Sequence, residues 1–163
     1  VQNALMKKFS CNVDAAHNAA MLANGNWILA SRYVNEQNDD NIYFTTLQKW
    51  MRYCFKFSAP ELIDFIANDI KPLGRERQKE FLMYALNFFH NVLLWNNGLS
   101  NNVLLLDEER KFINNFAPFI NSNNIELICG LFEESINQIE RNGNASLIFL
   151  DNSFKVFNYF KIK

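Results

Sequence analysis

The most regular pattern of hydrophobic positions in this chain lies between Gly74 and Gly98, a stretch with no other glycine and no proline. Apolar side chains recur there at helical spacing in two adjacent stripes, which together cover more of the circumference than an amphipathic surface helix needs. We therefore predict one long helix that packs on more than one side and forms the centre of a helical bundle. The stripes are Phe81, Ala85, Phe88, Val92 and Trp95, and Leu82, Leu86, Phe89 and Leu93.

The first turns of this predicted helix are polar instead. Residues 75–80 are Arg-Glu-Arg-Gln-Lys-Glu. Glu76 and Glu80 each have a basic residue three or four positions away, the spacing at which ion pairs form on a helix. This pattern indicates a solvated helix start or a docking surface for a partner.

Before the central stretch, residues 1–37 have the pattern of two or three short helices. Asn12 is suited to cap one of them, Gly25 to end it and Asn26 to cap the next. The polar run Asn35–Asn41 then predicts a boundary.

After residue 40 the pattern predicts a second set of helices. Ser58–Glu61 has the spacing of a capping box, with a proline tolerated in the first turn, and the acidic run Asp107–Glu109 suits a helix N-terminus. We expect Trp50 and Phe132 in the core. The last helix carries a main apolar stripe of Leu147, Leu150, Phe154 and Phe157, with Phe149, Val156 and Phe160 beside it.

Composition supports an all-α helical bundle. Of 163 residues, 49% are hydrophobic, including 16 Phe, while only 5 Gly and 3 Pro occur, so a sizeable core and few turns are expected. No heptad and no repeat of fixed period is sustained, which argues against a coiled coil or a solenoid. We interpret the frequent asparagines as compositional bias.

Net charge and cysteine usage restrict the partners and the compartment. The formal net charge is -1, which does not indicate bulk attraction to nucleic acid or to an anionic membrane. No apolar run is long enough to span a bilayer. Cys11, Cys54 and Cys129 are far apart, as is typical of buried reduced thiols in a cytoplasmic protein. The chain opens with Val1 in place of an initiator methionine, which is compatible with a processed or excised piece.

Motifs for catalysis, nucleotide binding and metal binding are absent from the sequence. No glycine-rich phosphate loop occurs. His17 and His90 have no second ligand at metal spacing and are expected to be structural, and Glu133, Glu134 and Glu140 are expected to form a solvated helix face. A Cys–His nucleophile pair stays open but has no motif in its favour. We therefore expect no catalytic residue, no cofactor and no metal, and a chain that is not itself an enzyme.

Three motifs occur in an order and at a spacing that resemble a known family. They are Gly74–Leu82 (GRERQKEFL), Phe116–Asn121 (FAPFIN) and Arg141–Ala145 (RNGNA). Together they resemble the C-terminal part of the delta prime subunits of bacterial DNA polymerase III, particularly the form found in Bacteroidetes. The Arg-Asn-x-Asn turn before a final apolar helix is shared more widely by clamp-loader subunits, in their C-terminal oligomerisation, or collar, domain. The resemblance covers residues 40–163.

Ala23–Ala30 resembles the Gly-Ser/Asn-x-Arg-Asp-Ala segment in the helical lid of AAA+ clamp-loader ATPases. In the ATP-binding subunits the arginine of that segment contacts the nucleotide phosphates. Ile28 stands at that position here and offers no charged hydrogen bond. This departure suits delta prime subunits, which resemble their ATPase neighbours without hydrolysing ATP. The alternative is that Gly25 only ends a helix.

The resemblance implies domains, a function and partners. Residues 1–37 would be the C-terminal part of an AAA+ lid-like domain, and residues 40–163 a helical collar domain. With the gamma/tau and delta subunits, the chain would assemble the cytoplasmic ring that loads the sliding clamp on primed DNA during replication. It would meet clamp and DNA only through the whole complex, and no membrane. The expected subunit interface comprises those of Phe81, Phe88, Val92, Trp95, Arg141, Asn142, Asn144, Phe149, Val156 and Phe160 that the bundle core does not use.

Two other functions stay open. A free-standing helical adaptor would bind a peptide or a small molecule in a groove between helices, and a gene without an ATPase-like domain upstream of Val1 would favour it. An ATP-hydrolysing gamma/tau relative is disfavoured by Ile28 and by the short segment after the final helix.

Overall fold

The computed structural model describes residues 27–102, 105 and 107–163, with the side chains of its first helix described from Ile42 onwards. The described residues form helices and no strand, which confirms the predicted all-α fold class. Short π and 3-10 segments join several of the helices. The helices are α1 (Trp27–Lys56), α2 (Ala59–Phe65), α3 (Gly74–Asn96), α4 (Asp107–Phe116), α5 (Ser122–Glu140) and α6 (Ala145–Tyr159).

The chain divides into two compact units. One consists of Val1–Thr45 with Leu104–Arg110, and the other of Thr46–Val103 with Lys111–Lys163. The short helices expected before Trp27 lie outside the described residues. The assignment of separate lid and collar domains stays a prediction.

Helix α1 continues through the polar run at 35–41, where the sequence pattern predicts a boundary. This run contains no proline or glycine, and its Asn, Asp, Gln and Glu side chains each lower helix propensity by only about 0.7 kcal/mol or less. The nearest helix-breaking residues are Gly25 and Pro60. Polarity alone therefore does not end the helix here.

Trp50 lies at the centre of the core of the second unit, and its side chain is fully buried. Its ring centroid is 5.8 Å from that of Phe81, 5.3 Å from that of Phe132 and 5.1 Å from that of Phe149. Such aromatic pairs each contribute about 0.5–1.5 kcal/mol beyond the burial of their area. One residue of α1 therefore joins α3, α5 and α6, and the predicted core positions Trp50 and Phe132 are confirmed.

Helix α3 is the central helix of this unit and begins and ends close to the predicted limits. It packs along α5, and it also contacts the 3-10 turn Ala117–Phe119. Residues of both predicted stripes are buried, which confirms that the helix packs on more than one side. Its buried apolar residues are Phe81, Leu82, Ala85, Phe88, Phe89 and Val92.

The chain enters α3 through a π turn, Ile66–Ile70, and a 3-10 turn, Lys71–Leu73. The buried Gln78 side chain donates from Nε2 to the carbonyl oxygen of Ile70 at 3.1 Å, so a polar group in α3 satisfies the backbone at the end of the π turn. Ser58 precedes α2 in an extended conformation, but its side chain makes no capping hydrogen bond. The predicted capping box is therefore not formed.

Asparagines form the cap that starts α5. The Asn121 Oδ1 atom accepts hydrogen bonds from the backbone nitrogens of Asn123 and Asn124 at 2.9 and 3.0 Å. The Asn124 Oδ1 atom accepts in return from the Asn121 nitrogen at 2.9 Å. This is a reciprocal capping box built from two amide side chains.

The same asparagines hold the end of the chain with their amide groups. Asn121 Nδ2 donates to the carbonyl oxygen of Ile162 at 2.8 Å, and Asn123 Nδ2 donates to that of Lys163 at 3.2 Å. Asn124 Nδ2 donates to the carbonyl oxygen of Tyr159 at 3.3 Å. These asparagines have defined structural roles, which corrects their interpretation as compositional bias.

Candidate interaction surface

The last helix, α6, presents a stripe of exposed apolar side chains. Leu147 is 64% exposed, Leu150 38% and Phe154 54%. The sequence pattern makes these three residues the main apolar stripe of the helix, yet the core uses the opposite face. That buried face consists of Ile148, Phe149, Asn152, Ser153 and Val156.

Two buried polar residues explain why α6 turns this face inward. Asn152 Nδ2 donates to Ser135 Oγ of α5 at 2.9 Å. Trp50 Nε1 donates to Ser153 Oγ at 2.8 Å. Because burial of an unpaired amide or indole N–H is costly, these hydrogen bonds make a partly polar face compatible with the core. A pattern that counts apolar residues alone assigns that face to the outside.

The core uses five of the seven apolar residues predicted for a subunit interface. The side chains of Trp95 and Phe160 are half-buried, so they alone among the seven retain accessible surface. The five used by the core are Phe81, Phe88, Val92, Phe149 and Val156.

The polar interface candidates Arg141, Asn142 and Asn144 are exposed in the turn between α5 and α6. Asn142 adopts a left-handed conformation with φ 65°, which asparagine tolerates better than most residues. The Asn144 Oδ1 atom accepts a hydrogen bond from the Leu147 nitrogen at 3.3 Å and so caps α6. Two of the three candidates therefore have local roles in shaping the turn.

Gly143 completes this turn because no side chain fits at its position. A Cβ atom there would lie 2.7 Å from the carbonyl oxygen of Gln138 and 2.9 Å from Ile148 Cδ1. The residue types Asn-Gly-Asn at 142–144 thus follow from the geometry that connects α5 to α6. This geometry also places the exposed stripe of α6 directly after the turn.

A second exposed surface consists of aromatic rings where α1 and α6 end. Phe55 is 50% exposed and Phe119 is 43% exposed, and their ring centroids are 4.9 Å apart at an interplanar angle of 63°. Phe160 joins them, with its centroid 6.2 Å from that of Phe55. Sequence patterning gives no signal for this cluster, because its members come from three separate segments.

Phe57 extends this surface towards the exposed stripe of α6. It follows α1 with a φ of 46°, and its ring stacks on that of Phe157 with centroids 4.7 Å apart. The Phe154 ring lies 5.5 Å away from it at a steep angle. The Lys161 Nζ atom is 3.7 Å from the centroid of the Phe157 ring, which is a cation–π contact. We call the six rings of Phe55, Phe57, Phe119, Phe154, Phe157 and Phe160 the aromatic end.

The polar start of α3 forms ion pairs. Lys79 Nζ is 3.1 Å from Glu76 Oε2 and 3.6 Å from Glu140 Oε1 at the end of α5. The hydrogen bond to Glu76 raises the pKa of Lys79. The predicted pairing of Glu76 with a base three residues away is confirmed.

Among the residues that the structure describes, those with reactive side chains are not gathered into one site. Cys54 is fully buried, and burial raises the pKa of its thiol to about 12, so it is protonated at neutral pH. Burial also raises the pKa of the half-buried Cys129. His90 is exposed. The glutamates Glu133, Glu134 and Glu140 are exposed as predicted, while Cys11 and His17 lie outside the described residues.

Within the part of the chain that the structure describes, no three His, Cys, Asp or Glu side chains are grouped as a metal site would require. None of the helices described is both long enough and apolar enough to cross a bilayer. Exposed apolar side chains are concentrated instead on two surfaces, the stripe of α6 and the aromatic end. These two are the candidate interaction surfaces.

Compared with protein-family models, with curated proteins and with solved structures, the chain matches none of them.

Proposed function

We propose that this chain is a collar-type assembly module of a bacterial clamp loader, equivalent to the C-terminal part of a delta prime subunit. The three ordered motifs support this proposal, and so does the all-α fold. The observation that carries it is the exposed stripe Leu147, Leu150 and Phe154 on the helix that follows the Arg-Asn-Gly-Asn turn. A collar helix has to present apolar side chains to a neighbouring subunit.

The spacing of the stripe fits packing against another helix. Its three residues are at i, i+3 and i+7, which places them along one narrow seam of the helix. Asp151 and Lys155 lie beside it, and their Oδ2 and Nζ atoms are 2.7 Å apart. An apolar centre with a charged rim is the usual anatomy of a protein interface.

In this function the chain works by holding subunits together, without catalysis and without a cofactor of its own. Its direct partners are the gamma/tau and delta subunits in the cytoplasm. The sliding clamp and primed DNA are reached through the complete ring. This arrangement revises the interface expected from sequence, because Leu147, Leu150 and Phe154 replace the five residues that the core uses.

Charge substitutions in the stripe test the proposal. We expect Leu147→Glu and Phe154→Glu to leave the circular dichroism spectrum unchanged and to weaken co-elution with the delta and gamma subunits by about 30-fold or more, as for a central interface residue. Met83, which is 57% exposed on α3, gives the matched control Met83→Glu, which should keep both fold and assembly. Phe149→Glu should unfold the protein, because it buries an unpaired charge.

Stripe variants that co-elute like the unmodified chain would exclude this surface as the assembly interface. In that case, a gene that encodes no ATPase-like domain upstream of Val1 would favour the alternative, a free-standing adaptor.

A further inference from the structure

The segments that carry the rings of the aromatic end contain basic residues and no acidic residue. They are residues 46–60, 112–125 and 152–163. Their cations are Lys49, Arg52, Lys56, Lys155, Lys161 and Lys163.

Two of these cations are neutralised by carboxylates of neighbouring segments. Lys49 Nζ is 2.9 Å from Asp69 Oδ2, and Lys155 Nζ is 2.7 Å from Asp151 Oδ2. The other four are exposed and form no ion pair with any residue that the structure describes: Arg52, Lys56, Lys161 and Lys163. With a formal net charge of -1 for the chain, the charges outside these four side chains sum to a negative value.

The four free cations belong to the same segments as the exposed rings. Arg52 and Lys56 are three residues before and one residue after Phe55 on α1, so Arg52 and Phe55 share a face of that helix. Lys161 lies over the Phe157 ring. The backbone of Lys163 is held by Asn123, close to the turn that contains Phe119.

The rings contact one another and are only partly covered. Phe55 meets Phe119 at 63° and Phe160 at 50°, so neither neighbour is stacked flat on it, and half of its surface is open. Phe154 meets Phe57 at 71° and is also half open. Partly exposed aromatic rings accompanied by cations match the surfaces on which unpaired bases stack while phosphates contact the cations.

We infer that the aromatic end binds single-stranded nucleic acid. Bases stack on Phe55 and Phe119, which are not part of the proposed assembly stripe, and the phosphates contact the four free cations. A duplex keeps its bases stacked on one another, so it gains only the phosphate contacts. This binding is independent of the proposed ring assembly, and it adds a direct contact with single strands to the DNA that the ring reaches as a whole. It depends on a local group of cations, so the net charge of -1 does not oppose it.

Fluorescence anisotropy with a labelled oligothymidylate of about 15 nucleotides measures this binding directly. Four phosphate contacts predict a slope of log K against log salt of about -3, at ~0.7 per phosphate for a single strand. A duplex of the same length should bind at least about tenfold more weakly at the same salt. An oligouridylate in a parallel titration shows whether the strand is DNA or RNA.

Two variants separate stacking from charge. Phe55→Leu with Phe119→Leu keeps the apolar volume and removes both rings; it should weaken binding of the single strand by roughly tenfold or more without changing the salt slope. Lys56→Glu with Lys161→Glu should weaken binding and reduce the slope to about -1.5. The matched control, Lys71→Glu with Arg141→Glu, makes the same charge change at exposed positions outside the aromatic end and should leave the affinity within about twofold.

Several results would overturn the inference. They are duplex binding as tight as single-strand binding, unchanged single-strand affinity in the Phe→Leu variant, and equal weakening in the charge control. Binding to phosphatidylserine vesicles or to a polyglutamate peptide without binding to the oligonucleotides would assign the surface to a membrane or to an acidic protein instead. Circular dichroism of each variant confirms that the fold is kept.

Discussion

The Trp50 indole and the Ser153 hydroxyl are joined by a buried hydrogen bond of 2.8 Å, although 103 residues of chain separate them. Ser153 Oγ donates in turn to the carbonyl oxygen of Phe149 at 2.7 Å. The largest ring of the core is thereby fixed to the inward face of α6. This contact selects which face of the last helix is buried and, as a consequence, which apolar side chains are exposed.

Replacing Ser153 with alanine should destabilise the fold. The Trp50 N–H would remain buried without an acceptor, so we expect the free energy of unfolding to fall by about 1–3 kcal/mol. Urea denaturation followed by circular dichroism measures the change. Ser146→Ala, in the first turn of the same helix, is the matched control and should stay within about 0.5 kcal/mol of the unmodified chain. Equal effects of the two substitutions would show that the hydrogen bond contributes nothing specific.

The turn between α5 and α6 should tolerate glycine at 142 but no side chain at 143. In Gly143→Ala the added Cβ would lie 2.7 Å from a backbone oxygen of α5, and relieving this overlap should cost about 1–3 kcal/mol. Asn142→Gly should be neutral or slightly stabilising, because φ at this position is 65°. Thermal unfolding of the two variants tests the contrast, and a stable Gly143→Ala variant would contradict it.

The buried thiol of Cys54 should make stability depend on alkaline pH. Its pKa is about 12 in the folded state against an ordinary value of 9.0, so the unfolded chain loses this proton first as pH rises. Since the unfolded state then binds fewer protons, the free energy of unfolding should fall from pH about 9 to pH about 12, by up to ~1.4 kcal/mol per pH unit.

Comparison with Cys54→Ala isolates this effect from tyrosines and lysines that titrate in the same range. The variant should be less stable at neutral pH because it creates a cavity. The stability difference between the two proteins should shrink as pH rises above about 9. A constant difference up to pH about 12 would contradict the account.

Titration with a fluorescent ATP analogue should show no saturable binding to this chain. The sequence contains no phosphate loop, and Ile28 cannot donate a charged hydrogen bond to phosphate. Saturable binding in the micromolar range would exclude the proposed non-nucleotide-binding role. The fold of the sample is checked first by circular dichroism, so that an inactive preparation is not taken as a negative result.

Helix positions were predictable wherever hydrophobic periodicity is long and is bounded by a recognisable breaker. Gly74 begins α3 and the acidic run at 107–109 begins α4 as expected, and Trp50 and Phe132 are core residues. The polar run at 35–41 lies inside α1, so it does not mark a helix end, because polarity without proline or glycine has little effect on helix formation.

The candidate surface was predictable only in part. The pattern of α6 places apolar residues on two faces, and buried polar pairs decide between them. Asn152 and Ser153 find partners only in the tertiary structure, on Ser135 and Trp50. The aromatic end likewise depends on proximity between segments that are far apart in sequence, so no local pattern marks it.

The side-chain amides of Asn121, Asn123 and Asn124 join the start of α5 to the end of α6 and the residues after it. The helix pair is therefore connected at both ends, here and at the turn 141–144. A helical hairpin closed at one end ordinarily frays from its open end. Here the last residues are fastened to the start of α5, so peeling of α6 cannot begin without breaking these contacts. Amide protons of the final turn of α6 should therefore exchange with solvent through the same cooperative opening as those in the middle of the hairpin. We therefore expect α6 to unfold together with α5 and not to fray separately.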